Sequence, residues 1–173
     1  MCGILAIVGP SAAAPTPEVG AAALGALAHR GPDRAGQWRD PGGRCWLGHT
    51  RLAIVAPEDG AQPIELPELG LCAAVNGEFY GYRGIQSELR AQGCRLRTGS
   101  DSEILLHLYQ RHGLMGAMAR LRGEFAFALW DGRAGRLVLG RDRFGVKPLV
   151  YVRHQGRLKA ASEVKALAAL GAP

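Results

Sequence analysis

The chain has 173 residues, of which 47% are hydrophobic and 21% charged, and its formal net charge is +6. That is enough for one soluble domain with a sizeable core, and no apolar run is long enough to span a bilayer. The basic residues are mostly single arginines among glycines and acids, with no like-charge run and no interleaved aromatics, so the charge does not point to nucleic acid.

Cys2 opens an apolar run to Val8, bounded by Gly9-Pro10, which predicts a buried strand. The run is too short for a secretory signal and lacks its basic lead, which makes the cytoplasm the default compartment. If Met1 is removed, Cys2 carries a free α-amine beside its thiol, a base and a nucleophile in one residue. The amine titrates near ~7.7–8.0 and the thiol near ~8.5, so only a modest push is needed to form the thiolate. The competing reading is a cysteine packed as a small hydrophobe at the end of a core strand. Cys45, Cys72 and Cys94 are irregularly spaced without a C-x-x-C pair, so a zinc or dithiol site lacks local support and Cys72 and Cys94 are expected unpaired.

Further along, Ser11–Pro15 reads as a loop and Thr16-Pro17-Glu18 as a helix opening, with a capping hydroxyl, proline in the first turn and an acid at the positive end of the dipole. Leu24, Leu27 and Ala28 give that helix its apolar stripe, and it should stop before His29-Arg30-Gly31-Pro32-Asp33. Trp46–Val55 predicts a strand bent near Gly48–Arg51. Leu71–Val75 predicts another, stopped by Asn76-Gly77, a pair suited to positive φ. Arg83–Ala91 reads as an amphipathic helix. Ser100 and Glu103 have capping-box spacing ahead of Ile104, Leu105, Leu108 and Tyr109, with a stop at His112-Gly113 and a shorter helix over Leu114–Leu121. Phe125–Trp130 is apolar at every position and predicts a central strand. Turns at Asp131-Gly132 and His154-Gln155-Gly156 predict two hairpins, hence antiparallel sheets. With four or so helices, the elements suggest sheets sandwiched between helical layers.

Several stretches then occur in a telling order: Met1-Cys2-Gly3-Ile4, His29–Asp33, Gly48–Val55, Asn76–Tyr80 and Gly99–Glu103, followed by Gly123–Phe127, Arg141–Leu149 and Ala161–Lys165. Together they resemble the class II glutamine amidotransferases, and within these the glutaminase domain of asparagine synthetase. The resemblance implies an N-terminal-nucleophile hydrolase fold, a four-layer αββα sandwich of two antiparallel sheets. It also implies hydrolysis of L-glutamine to glutamate and ammonia through a thioester on Cys2. The Asn76 side-chain amide and the Gly77 N–H would receive the oxyanion. Arg51 would clamp the substrate carboxylate and Asp101 pair with its ammonium. Glu78 and the loop residues Leu52, Ile54 and Val55 would complete the glutamine pocket. For Asp101, service as a helix-dipole partner is an equally simple role. His29 and His49 are read as structural, and Arg30 and Asp33 as loop-ordering ion-pair residues.

Two residues depart from the family's pattern: Ala56, where an aspartate is expected, and Gly81, where an asparagine is common. They loosen the assignment to one subfamily. Nothing here matches the synthetase half of such enzymes, since neither an S-G-G-x-D-S loop nor a G-x-x-x-x-G-K-[ST] loop occurs. No metal or cofactor is expected in this domain, with ATP and magnesium confined to a partner synthetase domain or subunit that receives the ammonia. The chain is then either the glutaminase half of an asparagine synthetase or a free-standing amidotransferase serving another synthetase, such as one of specialised metabolism. A non-catalytic docking or regulatory homologue is the reading from a different class, and a homodimer is left open.

Overall fold

The structure, a computed structural model, describes residues 1–10 and 14–173, so Ser11–Ala13 of the expected loop lie outside the described residues. Its elements in order are β1 (Gly3–Val8), α1 (Pro17–Gly25), β2 (Arg34–Arg39), β3 (Cys45–Arg51), β4 (Ile64–Leu66), β5 (Leu71–Phe79), α2 (Tyr82–Ala91), α3 (Glu103–Arg120), β6 (Gly123–Asp131), β7 (Arg136–Arg141), β8 (Val150–His154), β9 (Arg157–Ala161) and α4 (Val164–Ala169). One sheet has the order β2-β3-β1-β9-β8 and the other β4-β5-β6-β7, every pairing antiparallel.

The two sheets pack face to face through small and flat side chains: Ala6, Cys45, Leu47, Cys72, Ala128, Trp130 and Ala160. On the outer face of the first sheet, Leu5, Ile7 and Trp46 pack against Ala23 of α1 and Ala166, Leu167 and Leu170 at α4. On the outer face of the second, Ala73, Val75, Phe125, Phe127 and Leu129 meet Leu89 of α2 and Ile104, Leu105 and Leu108 of α3. Strands covered on both faces alternate between these two apolar environments, which is why β1 and β6 read as continuous hydrophobic runs. The result is the expected four-layer αββα sandwich, and all four cysteines are free.

Thr16 caps α1 as anticipated, accepting the Val19 N–H at 3.4 Å, and Gly113 (φ 66°) breaks α3 where a stop was expected. Four expectations need correction. The strand over Trp46–Val55 ends at Arg51, because the chain leaves the sheet at Leu52 to wall the cavity described below. Asn76-Gly77 does not stop β5, which runs on to Phe79. No capping box forms: Ser100 Oγ accepts the Ser102 N–H, and the buried Glu103 carboxylate accepts the Arg97 and Thr98 N–H groups. Finally, Asp33 makes no ion pair with a side chain among the described residues; its Oδ2 accepts the Ala53 N–H at 2.7 Å.

His49, wholly buried between the sheets, donates from Nε2 to the Val75 carbonyl at 3.0 Å. Burial, aided by the nearby Arg51 charge, lowers its pKa to about 4. Between that value and the unfolded ~6.5 the unfolded chain binds more protons, so His49 makes stability rise with pH across this window. Chemical denaturation at pH 4.5 and pH 7 should therefore show a loss at the lower pH that His49→Gln diminishes. An unchanged pH slope in the variant would contradict a neutral, buried imidazole.

Candidate active site

Cys2 sits at the start of β1, where pairing of Gly3 with Thr50 anchors the chain end to β3. Its carbonyl accepts from Arg30 Nε at 2.9 Å, and the Arg30 guanidinium donates in turn to Glu163 at 2.8 Å. Arg30, His29 and Lys165 together hold the Glu163 carboxyl down at about 2, so this brace is ionised at neutral pH. Arg30 thus fulfils its loop-ordering role through an ion pair, and it does so on the peptide of the candidate nucleophile itself. His29 lies on the exposed side of the brace and His49 between the sheets, so neither forms a dyad with the thiol.

The Cys2 Sγ accepts from the Leu52 N–H at 3.4 Å and lies 3.7 Å from the Leu52 carbonyl. Burial pushes the thiol pKa up, against the Leu52 N–H, the chain amine and Arg51, which favour the thiolate. The expected modest push toward thiolate is therefore outweighed by desolvation. With Met1 attached, the Cys2 nitrogen is an amide and offers no base. The sulfur needs a proton acceptor at the moment of attack, which is what a free α-amine would supply.

A cavity of about 150 Å³ brings every predicted site residue together: Cys2, Arg51, Leu52, Ile54, Val55, Asn76, Gly77, Glu78 and Asp101 all line it. The sequence reading assigned no site role to Gly60, Gln62, Tyr80, Ser100, Ser102, Glu124 and Lys147, which also border it. The Lys147–Glu124 pair, 3.0 Å apart, stands at this wall although its members are 23 residues apart in the chain. Only the Gly-Glu-Phe and Gly-Val-Lys-Pro strings hinted at them, without saying why.

Strand alternation explains which groups face the cavity. The β5 edge away from β6 is paired with β4 only through Ala73. Beyond it, the Val75 N–H is taken by Gln62 Oε1 at 2.7 Å and the Phe79 N–H by Asp101 Oδ2 at 2.8 Å. The same alternation turns the Gly77 N–H to this edge, between the two capped positions. Gly77 has φ +139°, and a Cβ there would lie 2.0 Å from the Glu124 carbonyl oxygen, so no other residue fits. Gly123, opposite Phe79, is under the same restraint from Glu78.

Asn76 is fully buried, yet neither side-chain atom has a partner among the described residues. A buried carboxamide left unpaired costs about 1–3 kcal/mol, so this is a group awaiting one. Arg51, also buried, donates to the carbonyls of Val55, Ala56 and Pro57 at 3.0, 2.6 and 3.1 Å, which folds the 52–57 loop around its guanidinium. Its Nε–H and one Nη1 hydrogen have no acceptor among the described residues. Burial raises the Asp101 pKa, opposed by the Phe79 and Ser102 N–H groups. A cation beside it would favour its charged form.

The two departures from the family's pattern coincide with positive φ, 50° at Ala56 and 68° at Gly81. Aspartate, asparagine and glycine tolerate that region better than alanine, so Gly81 is a like-for-like exchange and Ala56 carries local strain.

The family described as the glutamine amidotransferase domain matches residues 1–172. The chain is 42% identical over 149 residues to amidase chry2 of Gibberella zeae, covering 86% of this chain and 22% of that protein. It is 40% identical to an asparagine synthetase [glutamine-hydrolyzing] of Sandersonia aurantiaca (96% of this chain, 31% of that one) and 39% identical to asparagine synthetase 1 of Bacillus subtilis (82% and 22%). The chain thus spans less than a third of the length of these relatives. In three dimensions it matches the B. subtilis glutamine phosphoribosylpyrophosphate amidotransferase with a TM-score of 0.81 at 24% identity, covering 98% of this chain and 44% of that one.

Proposed function

The chain belongs to the glutamine amidotransferase family, and from that premise we propose that it hydrolyses L-glutamine to glutamate and ammonia on Cys2. The observation that carries this reading is the unpartnered, buried Asn76 carboxamide lining the same cavity as the Cys2 sulfur. Once Met1 is removed, the Cys2 α-amine takes the thiol proton as sulfur attacks the side-chain amide carbon, and passes it to the departing ammonia. Asn76 Nδ2 and the Gly77 N–H receive the developing oxyanion, and water then cleaves the thioester. Arg51 holds the substrate carboxylate through its free donors and Asp101 the ammonium, with Glu78 and the Leu52–Val55 loop enclosing the rest.

None of these steps calls for a metal or cofactor, and no group of three His, Cys, Asp or Glu side chains among the described residues is arranged to hold a metal ion. Ammonia freed into water is mostly protonated at neutral pH, so a dry route to an acceptor site is needed. That site belongs to a synthetase domain or subunit using ATP and magnesium. Similarity to the asparagine synthetases supports amidation of an acceptor carboxylate as in those enzymes. Similarity to amidase chry2 supports a second reading, in which the acceptor is a different molecule. No helix of the described chain is long and apolar enough to cross a membrane.

The test is glutamine-dependent ammonia release by the purified protein, with intact mass measured in parallel. Protein lacking Met1 should be active and protein retaining it inert. Full activity with Met1 in place would sink the amine-assisted mechanism. Arg51→Ala should raise KM for glutamine about 10–150-fold with a smaller change in kcat, since a charge-assisted contact is worth ~1.5–3 kcal/mol. A fall in kcat alone would remove Arg51 from the carboxylate clamp.

A further inference from the structure

Past Ala73 the outer edge of β5 has no strand beside it among the described residues, because β4 begins at Ile64, the partner of Ala73. Continuing that register places Gln62 opposite Val75. There the Gln62 side chain, and not a backbone group, makes the pairing with Val75. Its Oε1 accepts the Val75 N–H at 2.7 Å, and its Nε2 donates to the Val75 carbonyl at 3.2 Å. A carboxamide carries one acceptor and one donor side by side, the same pair that a neighbouring strand would present.

The Val75 carbonyl also accepts from His49 Nε2 at 3.0 Å. The peptide plane from Val75 to Asn76 is thus gripped by two donors, and because that unit is rigid the grip fixes the Asn76 backbone nitrogen as well. Asn76 has no hydrogen bond of its own to set its side chain among the described residues. Its aim is inherited from the backbone that bears it, as is the direction of the Gly77 N–H one residue on. On the cavity-facing edge, Gln62 before this pair and Asp101 after it are the only side chains, among the described residues, that pin the strand through hydrogen bonds to its N–H groups.

Resting on the assignment of Asn76 and Gly77 as the oxyanion donors, we propose that Gln62 is a positioning residue for amide hydrolysis. It acts through the Val75–Asn76 peptide and keeps both donors directed at the point where negative charge develops. It stabilises the transition state more than bound glutamine, so its loss is read in kcat and not in KM. No sequence signal marked it, because a glutamine between two loop residues has no periodic or motif context.

The experiment is a double-mutant cycle of Gln62→Met with Asn76→Ala, measuring kcat, KM for glutamine and Tm on the Met1-processed protein. Gln62→Met keeps the side-chain length and removes both hydrogen bonds to Val75, together with the longer one that Gln62 Nε2 donates to Ser102 Oγ at 3.5 Å. It should lower kcat about 10–100-fold, the loss felt when a partner that orients a metal's ligand is removed, with KM within about threefold. In the Asn76→Ala background the same change should cost several-fold less than in the parent, since one of the two donors it directs is gone. Gln62→Glu retains the acceptor for the Val75 N–H but turns an oxygen on the Val75 carbonyl. It should also lose kcat, and it serves where the methionine variant fails to fold. Losses that add in the double mutant, or a raised KM with unchanged kcat, overturn the proposal while leaving the oxyanion assignment standing. Near-normal kcat in Asn76→Ala alone overturns both.

Discussion

Replacing Cys2 with alanine is expected to lower glutaminase turnover on the order of 10⁶-fold, to the background of the assay, the scale on which loss of a covalent nucleophile is felt. The fold should not notice. The sulfur makes only long contacts, 3.4 and 3.7 Å, with the Leu52 backbone, and the residue is partly exposed at the end of β1. The pinning of the chain end comes from Arg30, which holds the Cys2 carbonyl irrespective of the side chain. Thermal unfolding within about 2 °C of the wild type should therefore accompany complete loss of ammonia release. Measurable turnover in Cys2→Ala would require another nucleophile. A large fall in Tm would instead mean that the cysteine is a packing residue after all.

Gly77→Ala is expected to act on both structure and chemistry. The new Cβ would fall 2.0 Å from the Glu124 carbonyl oxygen and 2.6 Å from the Phe125 Cα, both backbone atoms of β6 that cannot swing aside. The residue would also have to hold φ +139°. Overpacking and backbone strain each contribute about 1–3 kcal/mol, so about 3 kcal/mol or more of stability should be lost, roughly 6–12 °C in Tm. Relief would come by separating β5 from β6 at that point, which turns the Gly77 N–H away from the cavity. Activity should thus fall further than the unfolded fraction explains at the assay temperature. A variant melting within a degree or two of the parent would show that the strands do not approach so closely.

The departures from expectation share a cause. Asn76-Gly77 looks like a turn because both residues tolerate positive φ. In the protein that freedom serves an extended strand, letting two backbones approach where Gly77 and Gly123 each face a carbonyl of the other strand. The edge strands β2 and β4 escaped notice because a strand at an edge is specified by its ladder partner and not by burial. Arg34–Arg39 alternates between exposed and half-buried residues, and β4 has only three residues. The capping-box pattern failed because Glu103 lies in a fully buried setting, where the Arg97 and Thr98 N–H groups compete for it.

By itself the sequence determined the layered fold, through apolar runs long enough to be strands covered on both faces, and it supplied the candidate nucleophile, a cysteine that gains a free α-amine beside its thiol once Met1 is removed. The positions that resemblance assigned to the site, from Cys2 to Asp101, were also legible before any coordinates, and all of them line one cavity. What only the tertiary structure decided is how that chemistry is held. The thiol is desolvated by burial, the Arg30–Glu163 brace joins residues 133 positions apart, and Gln62 stands in for a missing strand beside Asn76 and Gly77. Each depends on desolvation or on hydrogen bonds between segments distant in the chain. Those quantities come into being only when the sheets close on one another, and no local pattern encodes them.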